Sequence, residues 1–362
     1  MASGIVQPAV QLASPDLALE VFDALHPYDY IHPDLDRAAF GASWKQQFFG
    51  AGPACVLVAR DAAGRIAAHY GIMPMPYVVD GQAMRAGFIC QLFIAPEYRK
   101  TGLFFDLERR ILTQFGNFGF DFLYGLVTIK PVLKAHIGLG FTRGPDFHIY
   151  AFPLAAGRGL AAIWPSLPGA AVPVLDWAAT SLARCLLFLR GPACGRIGIE
   201  EVDDFSRVEP DLIARVQSSW PIHADRSGAA LQRRLLPFGR KRYHVFAAVT
   251  GGQHLGYIVL RRTRVQHFEV TVIIDVLVAD DSGPVWNALI RHACRFGLQH
   301  DSHAVVTLAK RGTAQAAILG DNLFFRTPSY FTLVYTLPER LRQSRGNWPD
   351  RWHLSWIDHD FI

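Results

Sequence analysis

Residues 94–112 read IAPEYRKTGLFFDLERRIL. The apolar run QLFIAP stops at Pro96, the polar residues EYRKT follow, and a single glycine, Gly102, precedes a helical pattern. Leu103, Leu107, Ile111 and Phe115 recur at spacings of four, the apolar stripe of an amphipathic helix. A strand therefore gives way to a helix through a short basic loop. The first turn of such a helix has unpaired backbone N–H groups and the positive end of the helix dipole. Gly102 has no Cβ, so an anion can approach the backbone closely. Arg99 and Lys100 bring mobile positive charge to the same place. This chemistry suits a phosphate ester or a pyrophosphate. The loop lacks the GKT or GKS ending of a nucleotide P-loop and the three glycines of a dinucleotide fingerprint.

Outward from this segment, the chain repeats one plan. PACVLVARDAAGRIAAHYGIMPMPYVVDGQAMRAGFICQLFIAP reads as successive antiparallel strands, with DAAGR and Asp80-Gly81 as turns. After the helix come a buried strand, FDFLYGLV, a short helix ending in GLGF, and a last strand, FHIYAFPL. The second half matches it: YHVFAAV, the turn Gly251-Gly252, HLGYIVL, VTVIIDVLVADDSG, a helix entered at Pro284, SHAVVTLAK and SYFTLVYTLP. Matched positions lie near an offset of about 184, which pairs Gln91 with Asp275 and Tyr150 with Tyr335. The expected fold is α/β (α+β), with two tandem domains. Each has a mixed, mostly antiparallel central sheet flanked by helices. The first domain spans residues 1–154, a connector with an apolar helix spans 155–198, and the second domain spans 199–362.

At Arg99-Lys100-Thr101-Gly102-Leu103-Phe104, between a strand and a helix, with PEYR before it and GLGF after it, the sequence resembles the GNAT superfamily of acyl-coenzyme A-dependent N-acyltransferases. Phe104 stands where that family places Gly or Ala. Thr128-Ile129-Lys130 stand where it often places an Asn. The resemblance implies a GNAT-like fold twice over and an acyl-CoA co-substrate, acetyl-CoA or another acyl-CoA. Leu92, Phe93 and Ile94 would pair with the pantetheine amides. Arg99, Lys100, Thr101, Gly102, Leu103 and Phe104 would cradle the pyrophosphate. The acyl carbonyl would lie beside the fourth strand, within reach of an amide donor. The acceptor would be a small-molecule amine.

For proton transfer, His136 stands four residues before Gly140, at the position where many members of the family have a tyrosine. Imidazole titrates near neutrality, and the alternative role is a helix-face histidine. Gln91 occupies the fourth-strand position at which a carboxylate base would sit, and is a candidate acceptor contact. Its counterpart Asp275 lies in the apolar strand VTVIIDVLV. It is a candidate proton acceptor and acceptor-amine ligand, or else an ion-paired core residue. In LHPYDYIHPD, Tyr28 and Tyr30, with His26, Asp29 and His32, suit a sugar or nucleotide acceptor or a capped loop. Their spacing is not that of metal ligands on a helix, and no metal is expected. His69 reads as structural.

The second half has DDSGPVWN in place of EYRKTGLF, and Asp280 and Asp281 repel a pyrophosphate. Only the first half is expected to bind coenzyme A. This tandem layout is similar to bacterial N-acyltransferases of nucleotide-linked amino sugars, with Arg233, Arg234, Arg240, Lys241 and Arg242 available to an anionic acceptor. A peptide, polyamine or other small amine as acceptor, or a non-catalytic acyl-CoA-binding module, are the other readings.

The composition agrees with a large globular core: 362 residues, 51% hydrophobic and 19% charged. A net charge of +5, from 36 basic and 31 acidic residues without long runs, gives no nucleic-acid signature. Five scattered cysteines and no CxxC pair indicate neither a zinc site nor a disulfide framework. The first residues lack the pattern of a signal peptide, and the expected location is cytoplasmic. Residues 169–189 are strongly apolar, but Asp176 and Arg184 interrupt them, so a buried or interdomain helix is expected, against a membrane-surface helix. No membrane span is expected. Oligomeric state stays open, with a homodimer as one arrangement.

Overall fold

The computed structural model describes residues 8–28, 36–50, 55–164, 166–189, 197–202, 210–235, 243–265, 268–279, 282–336 and 351–358. The first half runs β1 (Ala9–Leu12), α1 (Ala18–Leu25), α2 (Arg37–Phe49), β2 (Cys55–Arg60), β3 (Ile66–Val79), β4 (Gln82–Ile94), α3 (Leu103–Gln114), β5 (Phe122–Val127), α4 (Lys130–Gly138) and β6 (Thr142–Pro153). The connector holds α5 (Ala156–Ile163) and α6 (Ala171–Leu189). The second half runs β7 (Gly198–Glu201), α7 (Pro210–Ser219), β8 (Ile222–Ala224), α8 (Gly228–Leu235), β9 (His244–Thr250), β10 (Gln253–Val265), β11 (Phe268–Val278), α9 (Gly283–Gln299), β12 (Ala304–Lys310), α10 (Ala314–Asp321) and β13 (Phe325–Tyr335). The repeat read from the sequence is thus present element by element from β2 to β6 and from β9 to β13. The hairpin turns Asp80-Gly81 and Gly251-Gly252 both have two consecutive positive φ angles, as two-residue hairpin loops require.

All these strands form one sheet, in the order β1-β2-β3-β4-β5-β13-β6-β12-β11-β10-β9-β7, with β8 on the side of β3. The order contains an exchange that the repeat alone does not reveal. The last strand of each half has crossed to the other: β13 pairs with β5, and β6 pairs with β12. The two exchanged strands also pair with each other at the centre. A division at residue 154 therefore cuts through shared hydrogen bonding, because β6 completes the second half's sheet.

One face of the sheet carries a continuous core reaching from α1 and α2 (Phe22, Trp44, Phe48) to α7 and α8 (Leu212, Leu231). The other face carries two separate cores, one under α3 and one under α9. The apolar connector helix α6 buries Ala183 and Leu187 against the second of these. Its other side is open: Val174, Trp177 and Leu182 are 63%, 72% and 60% exposed. The expectation of a buried helix therefore holds for one face of α6 only. No described helix is long and apolar enough to cross a membrane.

Candidate active site

The basic loop takes the predicted form. β4 ends at Ile94, a single 3₁₀ turn covers Pro96–Tyr98, and Gly102 begins α3 with φ +86°. That left-handed angle favours glycine. A Cβ placed on Gly102 would meet nothing within 4 Å, so the space over the helix start is open. Gly102 has no side chain to cap the first-turn amides, which project from the helix end. Arg99 and Lys100 are exposed beside them, and the Arg99 Nε donates to the Ile94 carbonyl at 3.1 Å. Thr101 is fastened inward, its hydroxyl on the Tyr98 carbonyl at 2.8 Å. Phe104 turns its ring to Phe105 and His136, with centroids 5.3 and 5.7 Å away.

Before this loop, β4 and β5 part. They pair in parallel at only three positions, Ala86 with Phe122, Gly87 with Leu123 and Phe88 with Tyr124. β4 nevertheless runs on to Ile94 and β5 to Val127, so the β4–β5 ladder stops at Phe88 and Tyr124 while both strands continue. Gly125 sits at the parting because Ile89 crosses it, and a Cβ there would lie 2.5 Å from the Ile89 side chain. Beyond the parting, Gln91 and Leu92 stand opposite the single residue Tyr70 of β3, which makes a β-bulge. Gln91 has φ +51°, an uncommon angle for a residue with a Cβ. His69 holds it there: its Nδ1–H donates to the Gln91 carbonyl at 2.9 Å. The His69 ring is fully buried near Trp44 and Phe48, and burial pulls its pKa down to about 4, so it is neutral at pH 7. The Gln91 side-chain oxygen is buried without a hydrogen-bond partner, an acceptor waiting for a donor.

On the opposite face of the sheet from α3 lies a cavity of about 690 Å³. α2 and α8 wall it, and Met73, Met75 and Pro76 of β3 with Met84 of β4 floor it. Met73 is the β3 partner of Phe88, the last β4 residue still paired to β5. Of the β3 residues that line the cavity, Met73 is thus the one nearest in register to that parting. Both halves of the chain build it.

Other sequence candidates lie elsewhere. His136 is 3% exposed, with its Nδ1 3.1 Å from Glu108 Oε1, and Tyr70 donates to the other Glu108 oxygen at 2.8 Å. Phe104 and Phe141 cover the ring. The histidine ties α4 to α3 and β3, a clasp under the loop and not a group facing the parted strands. Asp275 is 1% exposed, with both oxygens engaged: Ser355 Oγ donates at 2.7 Å, Tyr257 OH at 2.9 Å and Arg226 Nε at 3.3 Å. Asp275 belongs to a buried ion pair and has no lone oxygen to offer an acceptor amine. Arg226 also makes two bonds to Asp358, at 2.7 and 3.1 Å. Burial opposes its charge, but Asp275 and Asp358 outweigh burial and hold it protonated.

Tyr28 ends a short 3₁₀ turn after α1, while Tyr30, Asp29 and His32 lie outside the described residues, as do Asp280, Asp281, Arg240, Lys241 and Arg242. Arg233 and Arg234 line the cavity. Among the described residues, no group of His, Cys, Asp and Glu could hold a metal. Sequence reasoning did not foresee the His69–Gln91 contact, whose two residues are 22 apart on neighbouring strands. Nor did it pair Arg226 with Asp275. The one available signal was a lone carboxylate inside an apolar strand, which demands a buried partner.

No family model matches the chain, and no curated protein matches it. Solved structures do. A GCN5-related N-acetyltransferase from Anabaena variabilis ATCC 29413 superposes with a TM-score of 0.61 at 13% identity, over 92% of this chain and 73% of that one. Saccharomyces cerevisiae N-myristoyltransferase with bound myristoyl-CoA gives 0.64 at 13% identity, over 93% and 81%. A tandem GNAT protein from the clavulanic acid biosynthesis pathway gives 0.56 at 15% identity, over 91% and 98%. At such identities the likeness is one of fold, and it spans both halves together. With its parted strands, its loop at the start of α3 and its repeated plan, the chain has the two-domain GNAT-like fold of these structures.

Proposed function

We propose that the protein is an acyl-CoA-dependent N-acyltransferase whose first half binds the acyl-CoA and whose acceptor amine attacks directly in a ternary complex. The carrying observation is the parting of β4 from β5 beyond Phe88, with the bulge at Gln91, leading straight into the open, glycine-capped start of α3. Each part answers one part of the co-substrate. The edge at Leu92, Phe93 and Ile94 offers backbone groups to the pantetheine amides as an added strand does. The amides of Leu103 and Phe104, with Arg99 and Lys100, meet the pyrophosphate. At the bulge, backbone out of regular register is free to steady the acyl oxygen, and the Gln91 side-chain oxygen accepts from an N–H of the acyl donor or the incoming amine. Coenzyme A supplies an activated thioester. As the amide C–N bond forms the C–S bond breaks, the amine loses a proton and the thiolate gains one.

For the acceptor, the tandem layout and the arginines Arg233 and Arg234 on the cavity wall support an amino sugar, nucleotide-linked, as the first class to test. The decisive measurement is thiol release and product mass with acetyl-CoA and longer acyl-CoAs against amino sugars, nucleotide-linked amino sugars, amino acids and polyamines. Amine-dependent thiol release with a matching acyl mass gain is expected. Tight coenzyme A binding with no release across the panel would overturn the enzymatic reading.

A further inference from the structure

The connector helices lack charge where a solvent-facing helix carries it. From Gly159 to Ala183 the only ionisable side chain is Asp176. That carboxylate is spent internally: its two oxygens accept from the Arg158 amide and from Arg158 Nε, both at 2.9 Å. These bonds pin α6 to α5. Gly157 allows the close approach, since a Cβ on it would lie 2.0 Å from the Val172 carbonyl oxygen. Thr180 donates to the Leu154 carbonyl at 2.9 Å, and Ala183 and Leu187 are buried in the core under α9. The side that α6 turns outward is thereby fixed. Val174, Trp177, Ala178, Ser181, Leu182 and Cys185 are all exposed, and their spacing places them on one helical stripe. Arg184, seven residues after Trp177, is the only charge on that side. Trp164, where the chain leaves α5, is 59% exposed.

We propose that α5 and α6 dock the protein on an anionic lipid surface, with α6 lying along the surface and not crossing it. The docking is independent of the acyltransfer reading. Tryptophan is the side chain whose apolar rings and N–H suit the headgroup boundary, and Trp164 and Trp177 present it at the helix turn and on the stripe. The charge is complementary to such a surface. Read along the sequence, the connector 155–198 holds Arg158, Arg184, Arg190 and Arg196 against Asp176 alone. Size separates lipid from a second copy of the chain. The stripe is about 17 Å long and one helix, about 10 Å, wide. Its footprint is far below the roughly 800 Å² that each partner gives to a stable protein interface. A bilayer needs no matching contour, and takes up side chains singly. An apolar face left bare in water would be a liability, which lipid removes.

The test is co-sedimentation of the full-length protein with vesicles of phosphatidylcholine alone and of phosphatidylcholine with phosphatidylglycerol, at low and at high salt. The protein should partition onto the anionic vesicles, and salt should weaken that partition. Trp177→Gln and Leu182→Gln alter exposed side chains, so both should melt at the parent temperature, and each should lower vesicle affinity about tenfold. Arg184→Gln should cut the preference for anionic over neutral vesicles about fivefold. A parent that stays in the supernatant overturns the proposal, as does a folded Trp177→Gln/Leu182→Gln double variant that partitions like the parent. Equal partition onto neutral and anionic vesicles overturns the anionic surface as the occupant. Light scattering gives the remaining outcome: a dimer that Trp177→Gln reduces to a monomer, without vesicle binding, assigns the face to a second copy and overturns the lipid assignment.

Discussion

Gly102 concentrates the first test at one residue. Its φ of +86° and its open surroundings mean that a side chain there costs about 1 kcal/mol of backbone strain and meets no neighbour. Gly102→Trp should therefore fold, yet its indole fills the space over the first-turn amides. Coenzyme A affinity by calorimetry should drop by more than tenfold, and an unaltered affinity would remove the loop from the site. His69 makes a prediction about pH. In the unfolded chain its imidazole gains a proton near pH 6.5, while in the folded protein it stays neutral until about pH 4. Its contribution to stability is complete above about pH 6.5 and is lost as pH falls toward 4, by about 3 kcal/mol. Urea unfolding at pH 7.5, 6 and 5 should follow that slope, and His69→Gln should flatten it. His292, pulled down to about 4 first by burial and then by Arg295, adds a loss of the same sign. Gly102 was legible in the sequence because its role is local, a turn between a strand and a helix. The partners of His69 and Asp275 come from β-register and distant segments, which no local pattern encodes.

At the scale of the element, α3 is held by a buried polar clasp. Glu108 is fully buried on it, and accepts from Tyr70 of β3 while bonding His136 of α4. Removing His136 strips one partner from a buried carboxylate, a loss of about 2 kcal/mol or more. His136→Ala should lower the unfolding free energy by that amount and raise KM for acyl-CoA through a loosened α3. Its kcat at saturation should stay within a few-fold of the parent. A hundredfold fall in kcat at unchanged stability would return His136 to proton chemistry. Strands and helices were largely readable, since β3 and β4 are apolar runs set off by turn residues and α3 carries the four-residue stripe. The bulge at Gln91 was not readable. It depends on where His69 falls on the neighbouring strand, and a one-residue insertion leaves the local composition unchanged.

For the whole molecule, β6 and β13 bind the halves into one unit. The C-terminal segment adds to this: Asp358 and Ser355 reach Arg226, and Tyr124 of the first half donates to the Asp358 carbonyl at 3.0 Å. Residues 1–154 expressed alone lack the β13 that covers β5 and the β12 that pairs with β6. Both exposed edges invite association. Size-exclusion chromatography and circular dichroism should show an aggregated or unfolded fragment, whereas the full chain melts in one transition; a soluble, folded monomeric fragment would contradict this. The repeat was visible in the sequence because both copies keep their turns and core spacing. The exchange was invisible because β6 and β13 keep the same pattern whichever partner they choose. The central strand order also sets a timetable for synthesis. β6 ends at Pro153 and β13 at Tyr335, so 335 − 153 = 182 residues are translated after the first half is made before its sheet can close. At about 5–20 residues per second that is an interval of about 10–40 s. Throughout it the emerging chain presents the open edge of β5, an exposed strand edge that invites association until β13 arrives.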